Sequence, residues 1–475
     1  MRSGKNIFLT GLPGTGKSYI TRQFIQEQEA EGKQVLVCAP TGIAAQNLSG
    51  VTMHQAFSIP IPAYGHYITE ITNSKVKAAL TADIIIIDEI SMCRNDVFEY
   101  FGYVIDYIKK EGRVPQIIVV GDMFQLPPVV PEAEITKLKR YGFDSSGYCF
   151  TSRYWKKFKF VPVVLSKVIR QEDEQFIHNL GLLRVGDIGC MNYFNDRVIM
   201  SPITDTNQPI IQICATNAAA QEINDQQLTV LNSPMCLYKM KKEKFCPKDM
   251  VAEEALILKE GARVMFIAND VIDKTFMNGE TGTVTLCLDN YVRVLKDNGD
   301  EITVLPYKWR VYNLKTSGGV ISKTEIGCYT QLPLKLAYCV TMHKTQGQTY
   351  NEAVITPASF TFGQLYVALS RVRTIEGVYL TQPIEARDIK ANPLILDFYN
   401  TFNFEVPATI IERRKKLDKA ASEKKKSAKK KKTTKKSVKK TTTKKSTTAT
   451  KKKAKASTTK QKAKKTNKKK KRAVK

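Results

Sequence analysis

Residues 11–18 read Gly-Leu-Pro-Gly-Thr-Gly-Lys-Ser, a complete G-x-x-x-x-G-K-S phosphate-binding loop. An apolar, strand-like run at residues 6–10 precedes this loop, and residues 19–25 follow it with the spacing of a helix. The glycines let backbone N–H groups close around a phosphate at a helix N-terminus, where the helix dipole already favours anions. The loop therefore restricts the chain to an α/β fold that binds a nucleoside triphosphate.

Two side chains of this loop are expected to act chemically. Lys17 has the reach to contact the β- and γ-phosphate oxygens, and Ser18 offers a hydroxyl ligand to Mg²⁺. ATP is the expected substrate and Mg²⁺ the expected cofactor. The predicted ATP-binding residues are Gly11, Leu12, Pro13, Gly14, Thr15, Gly16, Lys17 and Ser18.

Three further apolar runs, at residues 34–39, 84–87 and 117–120, each end in polar residues. Continuous apolar runs are typical of strands buried in a parallel sheet, and ligands bind at the carboxyl edge of such sheets. Asp88 and Glu89 follow the second run, where Asp88 is placed to hold Mg²⁺ and Glu89 to activate the attacking water. Gln125 follows the third run and is placed beside the γ-phosphate, where it would sense the nucleotide state.

A second set of alternating strands and helices opens near residue 165 and includes strand-like runs at 210–215 and 353–355. Between these runs, residues 281–331 alternate apolar and polar side chains, which predicts short antiparallel strands and a small inserted β-barrel. The pattern is also broken by prolines around residues 59–65, which predicts a small insertion in the first domain. The sequence thus predicts two parallel-sheet domains, each with an insertion.

The net charge of +29 is concentrated at the C-terminus. Residues 413–475 contain 32 lysines and arginines against two acidic residues and no aromatic residue, whereas residues 1–412 have a net charge of −1. Such a segment cannot bury enough apolar surface to fold, so we expect residues 407–475 to be a disordered, lysine-rich tail. The tail is expected to neutralise phosphates without reading sequence. Its run at residues 468–472 would also suit nuclear import.

Cysteine and histidine usage excludes several classes of protein. The ten cysteines form no C-x-x-C pair and there are only four histidines, so no zinc site is predicted and a reducing environment is expected. No apolar run has the length of a membrane span, and the N-terminus lacks a signal-peptide core. We expect a soluble intracellular protein without a membrane partner, in the nucleus or at a viral replication site if the host is eukaryotic.

Several longer motifs occur in a fixed order along the chain. Gly-Asp-x-x-Gln-Leu-Pro-Pro-Val occupies residues 121–129, and Val-Ile-Arg-Gln occupies residues 168–171. Thr-Met-His-Lys-Thr-Gln-Gly-Gln-Thr follows at 341–349, and Tyr-Val-Ala-Leu-Ser-Arg-Val at 366–372. From about residue 5 to residue 400, the chain resembles the superfamily 1B DNA helicases, and within them the PIF-type (petite integration frequency) helicases, relatives of RecD and Dda.

The resemblance implies an α/β architecture of two RecA-like parallel-sheet domains with ATP between them and an SH3-like β-barrel as an insert. It implies a first domain of residues 1–164 with a small strand-separating insertion at about 57–75. The second domain would comprise residues 165–280 and 332–406, with the SH3-like insert at 281–331. Phe57, Tyr64 and Tyr67 are candidates for a wedge against the duplex or, equally, for packing. The family's adenine-recognising glutamine segment lies upstream of the phosphate loop, and the sequence starts too late to include it, as expected of a truncated gene model.

The resemblance also assigns roles to single residues. Arginines at positions 170 and 371 are implied to reach across the cleft to the γ-phosphate, so that hydrolysis depends on domain closure. The candidate catalytic residues are Lys17, Asp88, Glu89, Gln125, Arg170 and Arg371. The implied contacts to DNA phosphates are Thr41, Gly42, His54, Thr341, His343 and Lys344, with a hydrogen-bonded core histidine as the alternative for position 54.

The function implied by the resemblance is an ATP-dependent DNA helicase in replication, repair or recombination. It would move 5′→3′ on single-stranded DNA, unwind duplex as a monomeric motor, and bind single-stranded and forked DNA. One alternative is a DNA-stimulated translocase that remodels protein–DNA complexes without unwinding them. Another is a non-enzymatic DNA binder with a relic ATPase core, against which the complete set of candidate catalytic residues argues.

Overall fold

The first part of the chain forms a six-stranded parallel sheet. The computed structural model describes residues 1–402, apart from residues 67, 200–209, 247–249, 271–272, 343, 346–347 and 359–360. The strands of this first sheet are β1 (Ile7–Gly11), β2 (Val35–Ala39), β3 (Val51–Thr52), β4 (Ile84–Ile87), β5 (Gln116–Val120) and β6 (Val161–Leu165). Their order is β3-β2-β4-β5-β1-β6, and all pairings are parallel.

Helices connect these strands, as a parallel sheet requires because its strands need crossover connections. They are α1 (Lys17–Ala30), α2 (Gly42–Asn47), α3 (Met53–Phe57), α4 (Lys77–Thr81), α5 (Asn95–Lys110), α6 (Glu132–Arg140) and α7 (Arg153–Phe158). An aromatic cluster joins α5 to α7, since the ring of Phe158 lies 5.9 Å from Phe98 and 5.6 Å from Phe101. We call the first sheet and its helices the first block.

The remaining elements follow in chain order. The strands are β7 (Gln212–Cys214), β8 (Cys236–Lys239), β9 (Lys241–Lys244), β10 (Ala255–Leu258), β11 (Arg263–Phe266), β12 (Thr281–Leu288), β13 (Tyr291–Lys296), β14 (Glu301–Val304), β15 (Tyr307–Ser317), β16 (Val320–Gln331), β17 (Leu334–Leu336), β18 (Cys339–Thr341), β19 (Ala353–Ile355) and β20 (Val378–Leu380). The helices are α8 (Glu174–Val185), α9 (Met191–Asn195), α10 (Asn217–Val230), α11 (Gln364–Leu369) and α12 (Pro393–Asn400).

A second parallel sheet has the order β18-β7-β19-β20. We call this sheet with α8 to α11 the second block. The alternation of strands and helices in both blocks confirms the predicted α/β fold with a parallel-sheet core.

Between β7 and β18, residues 236–336 form an antiparallel insert. Its five-stranded sheet has the order β14-β13-β12-β11-β17, and a second sheet joins β15, β16 and β9. Fully buried side chains fill its core, among them Leu256, Val264, Phe266, Val292 and Leu334. The insert extends to both sides of the predicted 281–331 segment, because β11 before that segment pairs with β17 after it.

The hairpin of β15 and β16 reaches from the insert to the first block. The side-chain amide of Gln55 donates to the carbonyl of Tyr312 at 2.5 Å, and the amide of Ile321 donates to Oε1 of Gln34 at 2.9 Å. The ammonium of Lys323 also donates to the carbonyl of Ser49. These bonds tie the insert to the first block at α3, which carries His54, and at the residues that precede β2 and β3.

Helix α12 follows the last strand of the second sheet but packs on the first block. The hydroxyl of Tyr399 lies 2.7 Å from the hydroxyl of Thr10 in β1. The ring of Phe398 lies 5.8 Å from Phe8 and 5.5 Å from Trp155. The chain therefore leaves the first block after β6 and comes back to it at α12. The predicted tail, 407–475, lies outside the described residues.

Candidate nucleotide and nucleic-acid site

The phosphate-binding loop joins β1 to α1 at the carboxyl edge of the first sheet. Gly14 and Gly16 adopt φ values of 75° and 83°, which favour glycine because an L side chain is strained there. Gly14 is also in close contact, since a Cβ atom at this position would lie 2.4 Å from Cβ of Arg170. The glycines of the motif therefore bring the loop against a segment that follows β6.

The Lys17 side chain folds back over this loop. Its ammonium donates to the carbonyl oxygens of Gly11 at 3.0 Å and Leu12 at 2.9 Å. Burial lowers the pKa of the Lys17 ammonium, while the carboxylates of Asp122 and Glu89 act in the opposite direction. Lys17 therefore lies close enough to the acidic groups at the ends of β4 and β5 to interact with their charge.

Asp88 and Glu89 occupy the end of β4 as predicted. Asp88 is buried, and its carboxylate accepts a hydrogen bond from the Glu89 amide at 2.9 Å. Burial and the negative charge of Glu89 raise the pKa of the Asp88 carboxyl. Glu89 has φ of 48°, a left-handed conformation that costs a non-glycine residue about 1–3 kcal/mol and clusters at functional sites.

The donor set at this edge fits a hard divalent cation. Ser18 offers an exposed hydroxyl at the start of α1, and Asp88 offers a carboxylate whose buried charge a cation would stabilise. In the described part of the chain, no group of three or more His, Cys, Asp or Glu residues is arranged to hold a metal ion. A site of few protein ligands, completed by phosphates and water, is the usual environment of Mg²⁺.

Gln125 lies in the segment that follows β5, and this segment contacts the second block. Gln125 is 5% exposed, and its backbone N–H donates to the carbonyl of Asp122 at 3.0 Å. A Cβ atom at Gly363, the residue before α11, would lie 2.4 Å from the carbonyl oxygen of Phe124 and 2.7 Å from that of Gln125. The start of α11 therefore packs on the backbone that positions the Gln125 side chain.

The structure brings Arg170 and Arg371 close together beside the phosphate-binding loop. The guanidinium of Arg170 donates to the carbonyl of Ser370 at 3.0 Å, and Gln171 donates to the same carbonyl at 3.1 Å. Arg371 is 2% exposed and donates to the carbonyl of Val367 and the hydroxyl of Ser370. Burial and Arg371 lower the pKa of the Arg170 guanidinium, because two cations at this spacing repel.

A buried polar cluster behind Gln125 was not predicted. Asp122 is fully buried and pairs with Arg184 of α8 at 2.8 Å, while the hydroxyl of Tyr366 in α11 lies 3.3 Å from its carboxylate. The hydroxyl of Tyr399 lies 3.4 Å from the same carboxylate. Asp122 belongs to the Gly-Asp-x-x-Gln motif at residues 121–129, whereas Arg184 and Tyr399 lie in apolar helices without a motif. No sequence signal marks these two residues.

The predicted DNA-contacting residues of the first block lie at the carboxyl ends of β2 and β3. The hydroxyl of Thr41 accepts a hydrogen bond from the Ala44 amide at 3.3 Å, and Gly42 is exposed with open space around it. His54 is half-buried in α3, and burial lowers the pKa of its imidazole. This environment is compatible with both a DNA contact and a packed histidine.

The predicted residues of the second block differ in exposure. Thr341 is 3% exposed at the end of β18, and its carbonyl accepts hydrogen bonds from the amides of Lys344 and Thr345. Lys344 is exposed on the turn that these bonds hold. His343 lies outside the described residues.

In the small insertion between α3 and α4, the large apolar side chain that is exposed among the described residues is not one of the wedge candidates Phe57, Tyr64 and Tyr67. Phe57 is fully buried with its ring 4.8 Å from Phe101, and Tyr64 packs 5.5 Å from the ring of Tyr141. Packing is therefore the role of Phe57, while Tyr67 lies outside the described residues. Ile61 is 85% exposed and is the most solvent-accessible of the large apolar side chains described in this insertion.

Among the helices formed by the described residues, none is long and apolar enough to cross a bilayer.

Comparison with known proteins gives a consistent result. A family model described as PIF1-like helicase matches residues 1–180. The chain is similar to the ATP-dependent DNA helicase Pif1 of Campylobacter jejuni, with 32% identity over 438 residues that cover 84% of this chain and 95% of that protein.

Solved structures give the same family. The chain is similar to Bacteroides sp Pif1 in complex with ADP-AlF4, with a TM-score of 0.75, 32% identity, and coverage of 85% of this chain and 94% of that chain. It is also similar to Bacteroides Pif1 bound to ssDNA, with a TM-score of 0.61, 32% identity, and coverage of 84% and 94%.

Proposed function

This chain belongs to the PIF1-like helicase family and is an ATP-dependent DNA helicase, and from this premise we propose that it moves 5′→3′ along single-stranded DNA. The observation that carries the mechanism is the convergence of Lys17, Glu89, Gln125, Arg170 and Arg371 at one edge of the first sheet. The proposal extends to forked DNA as the substrate and to a monomeric motor.

In the proposed reaction, the amides of residues 11–18 bind the phosphates of ATP, and Lys17 leaves the carbonyls of Gly11 and Leu12 to contact the β/γ oxygens. Glu89 accepts the proton of the attacking water as general base. The side-chain amide of Gln125 orients that water and senses the γ-phosphate. The close packing of Gly363 against the backbone of Phe124 and Gln125 supports this role, because it fixes the point from which the Gln125 side chain extends.

Ser18 and Asp88 are the residues that would hold Mg²⁺. When bound, the ion would neutralise charge on the β- and γ-phosphates. The raised pKa of the buried Asp88 carboxyl supports the assignment, because a cation beside this carboxylate favours its charged form.

Arg170 and Arg371 are proposed to stabilise the charge of the transferring phosphoryl group. Their mutual repulsion supports this role, since an anion between two arginines relieves it. Both guanidinium groups donate hydrogen bonds to Ser370, so movement of the segment that contains Ser370 would move both of them. Hydrolysis would then depend on the approach of the two blocks.

The domain assignment is part of the proposal. We assign residues 1–164 to a first RecA-like domain with its insertion at about 57–75, and residues 165–280 with 332–406 to a second. The insert, predicted at 281–331 and extended by its paired strands to residues 236–336, is proposed to be SH3-like because its strands are antiparallel. Thr41, Gly42, His54, Thr341, His343 and Lys344 are proposed to hold DNA phosphates.

The C-terminal segment 407–475 is proposed to be a disordered tail that neutralises DNA phosphates without a defined set of contacts. It is rich in lysine and lacks aromatic residues for base stacking. Its run at residues 468–472 supports a nuclear address in a eukaryotic host, with a viral replication site as the other setting.

The direction of travel is tested by strand separation. Duplexes with a 5′ or a 3′ single-stranded overhang are incubated with ATP and Mg²⁺, with Lys17→Ala as the inactive control. We expect unwinding from the 5′ overhang alone. Unwinding from only the 3′ overhang would refute the proposed direction, and ATP hydrolysis without strand separation on either substrate would favour the remodelling translocase.

A further inference from the structure

Lys335 is a lysine in an unusual place. It lies in β17, at the edge of the insert's five-stranded sheet, and its cross-strand neighbour is Met265. Leu334 and Leu336 on either side of it pack into the insert's core. Because successive side chains of a strand point to opposite faces, Lys335 is directed away from that core.

The side chain is partly buried without a counterion in contact. Among the residues that the structure describes, none forms a hydrogen bond or ion pair with the Lys335 ammonium. Its pKa is lowered to about 8, first by burial and then by the positive charge of Lys344. The exposed carboxylate of Glu253 has a smaller, opposite effect. Two lysines thus repel each other where one of them has already lost part of its hydration.

The surrounding turns give this pair a fixed geometry. Lys344 follows the end of β18 on a turn closed by hydrogen bonds to Thr341. The Gln348 side chain, four residues further on, donates to Asn278 at 3.2 Å in the loop that follows β11. A Cβ atom at Gly279 would lie only 1.6 Å from Oε1 of Gln348, so glycine is required for this contact. The turn of Lys344 is therefore packed against the insert on the β11 side, next to the strand that carries Lys335.

We propose that Lys335 is a DNA-contacting residue that shares one backbone phosphate with Lys344. This inference rests on the proposed function, because it deepens the assignment of Lys344 to the DNA-binding surface. A phosphate between the two ammonium groups replaces the hydration that Lys335 loses and removes the repulsion between the lysines. No base is read, which suits a motor that moves on any sequence.

The test measures binding of a single-stranded oligothymidine by fluorescence anisotropy across a salt series. One phosphate contact contributes about −0.7 to the slope of log affinity against log salt on a single strand. Lys335→Met should make the slope shallower by about 0.7 and weaken binding about fivefold at 0.1 M salt. Lys241→Met is the matched control, since Lys241 is an exposed strand lysine of the same insert, and it should retain the wild-type slope.

A pH series separates a phosphate contact from a structural role. In the free protein the Lys335 ammonium loses its proton as the pH rises through about 8, whereas a bound phosphate stabilises the charged form. Wild-type affinity should therefore be full well below this pH and weaken as the pH rises through it. Lys335→Arg keeps its charge over the whole range, so it should bind as tightly as the wild type with a flatter pH profile.

Stability gives a further readout. Lys335→Met removes a partly buried charge, so its thermal midpoint should equal or exceed that of the wild type while its DNA affinity falls. A Lys335→Met slope identical to the wild-type slope, or a Lys335→Arg protein that fails to bind, would overturn the inference. If wild-type affinity itself showed no dependence on salt, the proposed DNA-binding surface would fail instead.

Discussion

Arg184 and Asp122 form an ion pair with an N–O distance of 2.8 Å in which neither side chain is more than 3% exposed. The pair joins α8, which follows the first sheet in sequence, to the end of β5. The guanidinium also lies 4.3 Å from the centre of the Phe124 ring, one residue before Gln125. The pair therefore holds the segment that is proposed to sense the nucleotide.

Arg184→Met should lower the free energy of unfolding by about 3–5 kcal/mol, because the change leaves the Asp122 carboxylate buried and unpaired. Thermal unfolding measures the loss. Arg2→Met is the matched control: Arg2 pairs with Glu27, and the two side chains are 78% and 43% exposed, so its loss should leave the thermal midpoint close to that of the wild type. Equal midpoints for the two variants would contradict a stabilising role of the buried pair.

Lys17→Ala should abolish DNA-stimulated ATP hydrolysis while the protein stays folded. The change removes the cation that binds the β/γ oxygens and stabilises their charge in the transition state. Phosphate release at saturating single-stranded DNA measures the effect, and circular dichroism checks the fold. Lys33→Ala, an exposed lysine just beyond the other end of α1, is the control with normal activity. Hydrolysis above a tenth of the wild-type rate in Lys17→Ala would rule out the nucleotide assignment.

Glu89→Gln should separate ATP binding from hydrolysis. The amide keeps the size and hydrogen bonding of the side chain but cannot accept the proton of water, so turnover should fall by about 10²-fold or more. Binding of a fluorescent ATP analogue should persist. Asp83→Asn, at the opposite end of β4, serves as the control and should hydrolyse ATP normally. Loss of nucleotide binding together with turnover would assign Glu89 to the metal site and exchange its role with that of Asp88.

Deletion of residues 413–475 should weaken DNA binding without impairing the motor. The remaining chain has a net charge of −1, and each duplex phosphate that the tail neutralises contributes about −0.9 to the salt slope. We expect a shallower slope and near-normal ATP hydrolysis at saturating DNA. A chain with the same tail residues in shuffled order should bind as the wild type does, since only charge is used.

Two results would contradict this prediction for the tail. An unchanged salt slope would mean that the tail does not contact DNA. Lost hydrolysis at saturating DNA would make the tail part of the motor.

The four central strands of the first sheet were predictable, because a strand that is buried on both faces has an uninterrupted apolar sequence. The two edge strands, β3 and β6, were not predicted. The run at 84–87 coincides with β4, and those at 34–39 and 117–120 differ from β2 and β5 by one residue. The phosphate-binding loop was also predictable, because its glycines and its lysine lie close together in the sequence and the backbone conformations of Gly14 and Gly16 are local.

Relationships between distant segments were not predictable from a single sequence. The contact of Gly14 with Arg170 and the burial of Arg184 depend on packing between elements far apart in the chain. The hairpin of β15 and β16 lies within the segment 281–331, for which antiparallel strands were predicted. Its contacts with Gln34 and Gln55 of the first block were not predictable, because they join segments far apart in the chain.

The return of α12 to the first block has a mechanical consequence. The polypeptide crosses between the two parallel sheets twice, once after β6 and once before α12. A single covalent link would leave one sheet free to rotate about the other, whereas two links would restrict that rotation and favour an opening and closing motion. ATP hydrolysis would thereby drive the two sheets along one direction of motion. The contacts of Phe398 and Tyr399 with Phe8 fix the second crossing of the chain to the first sheet.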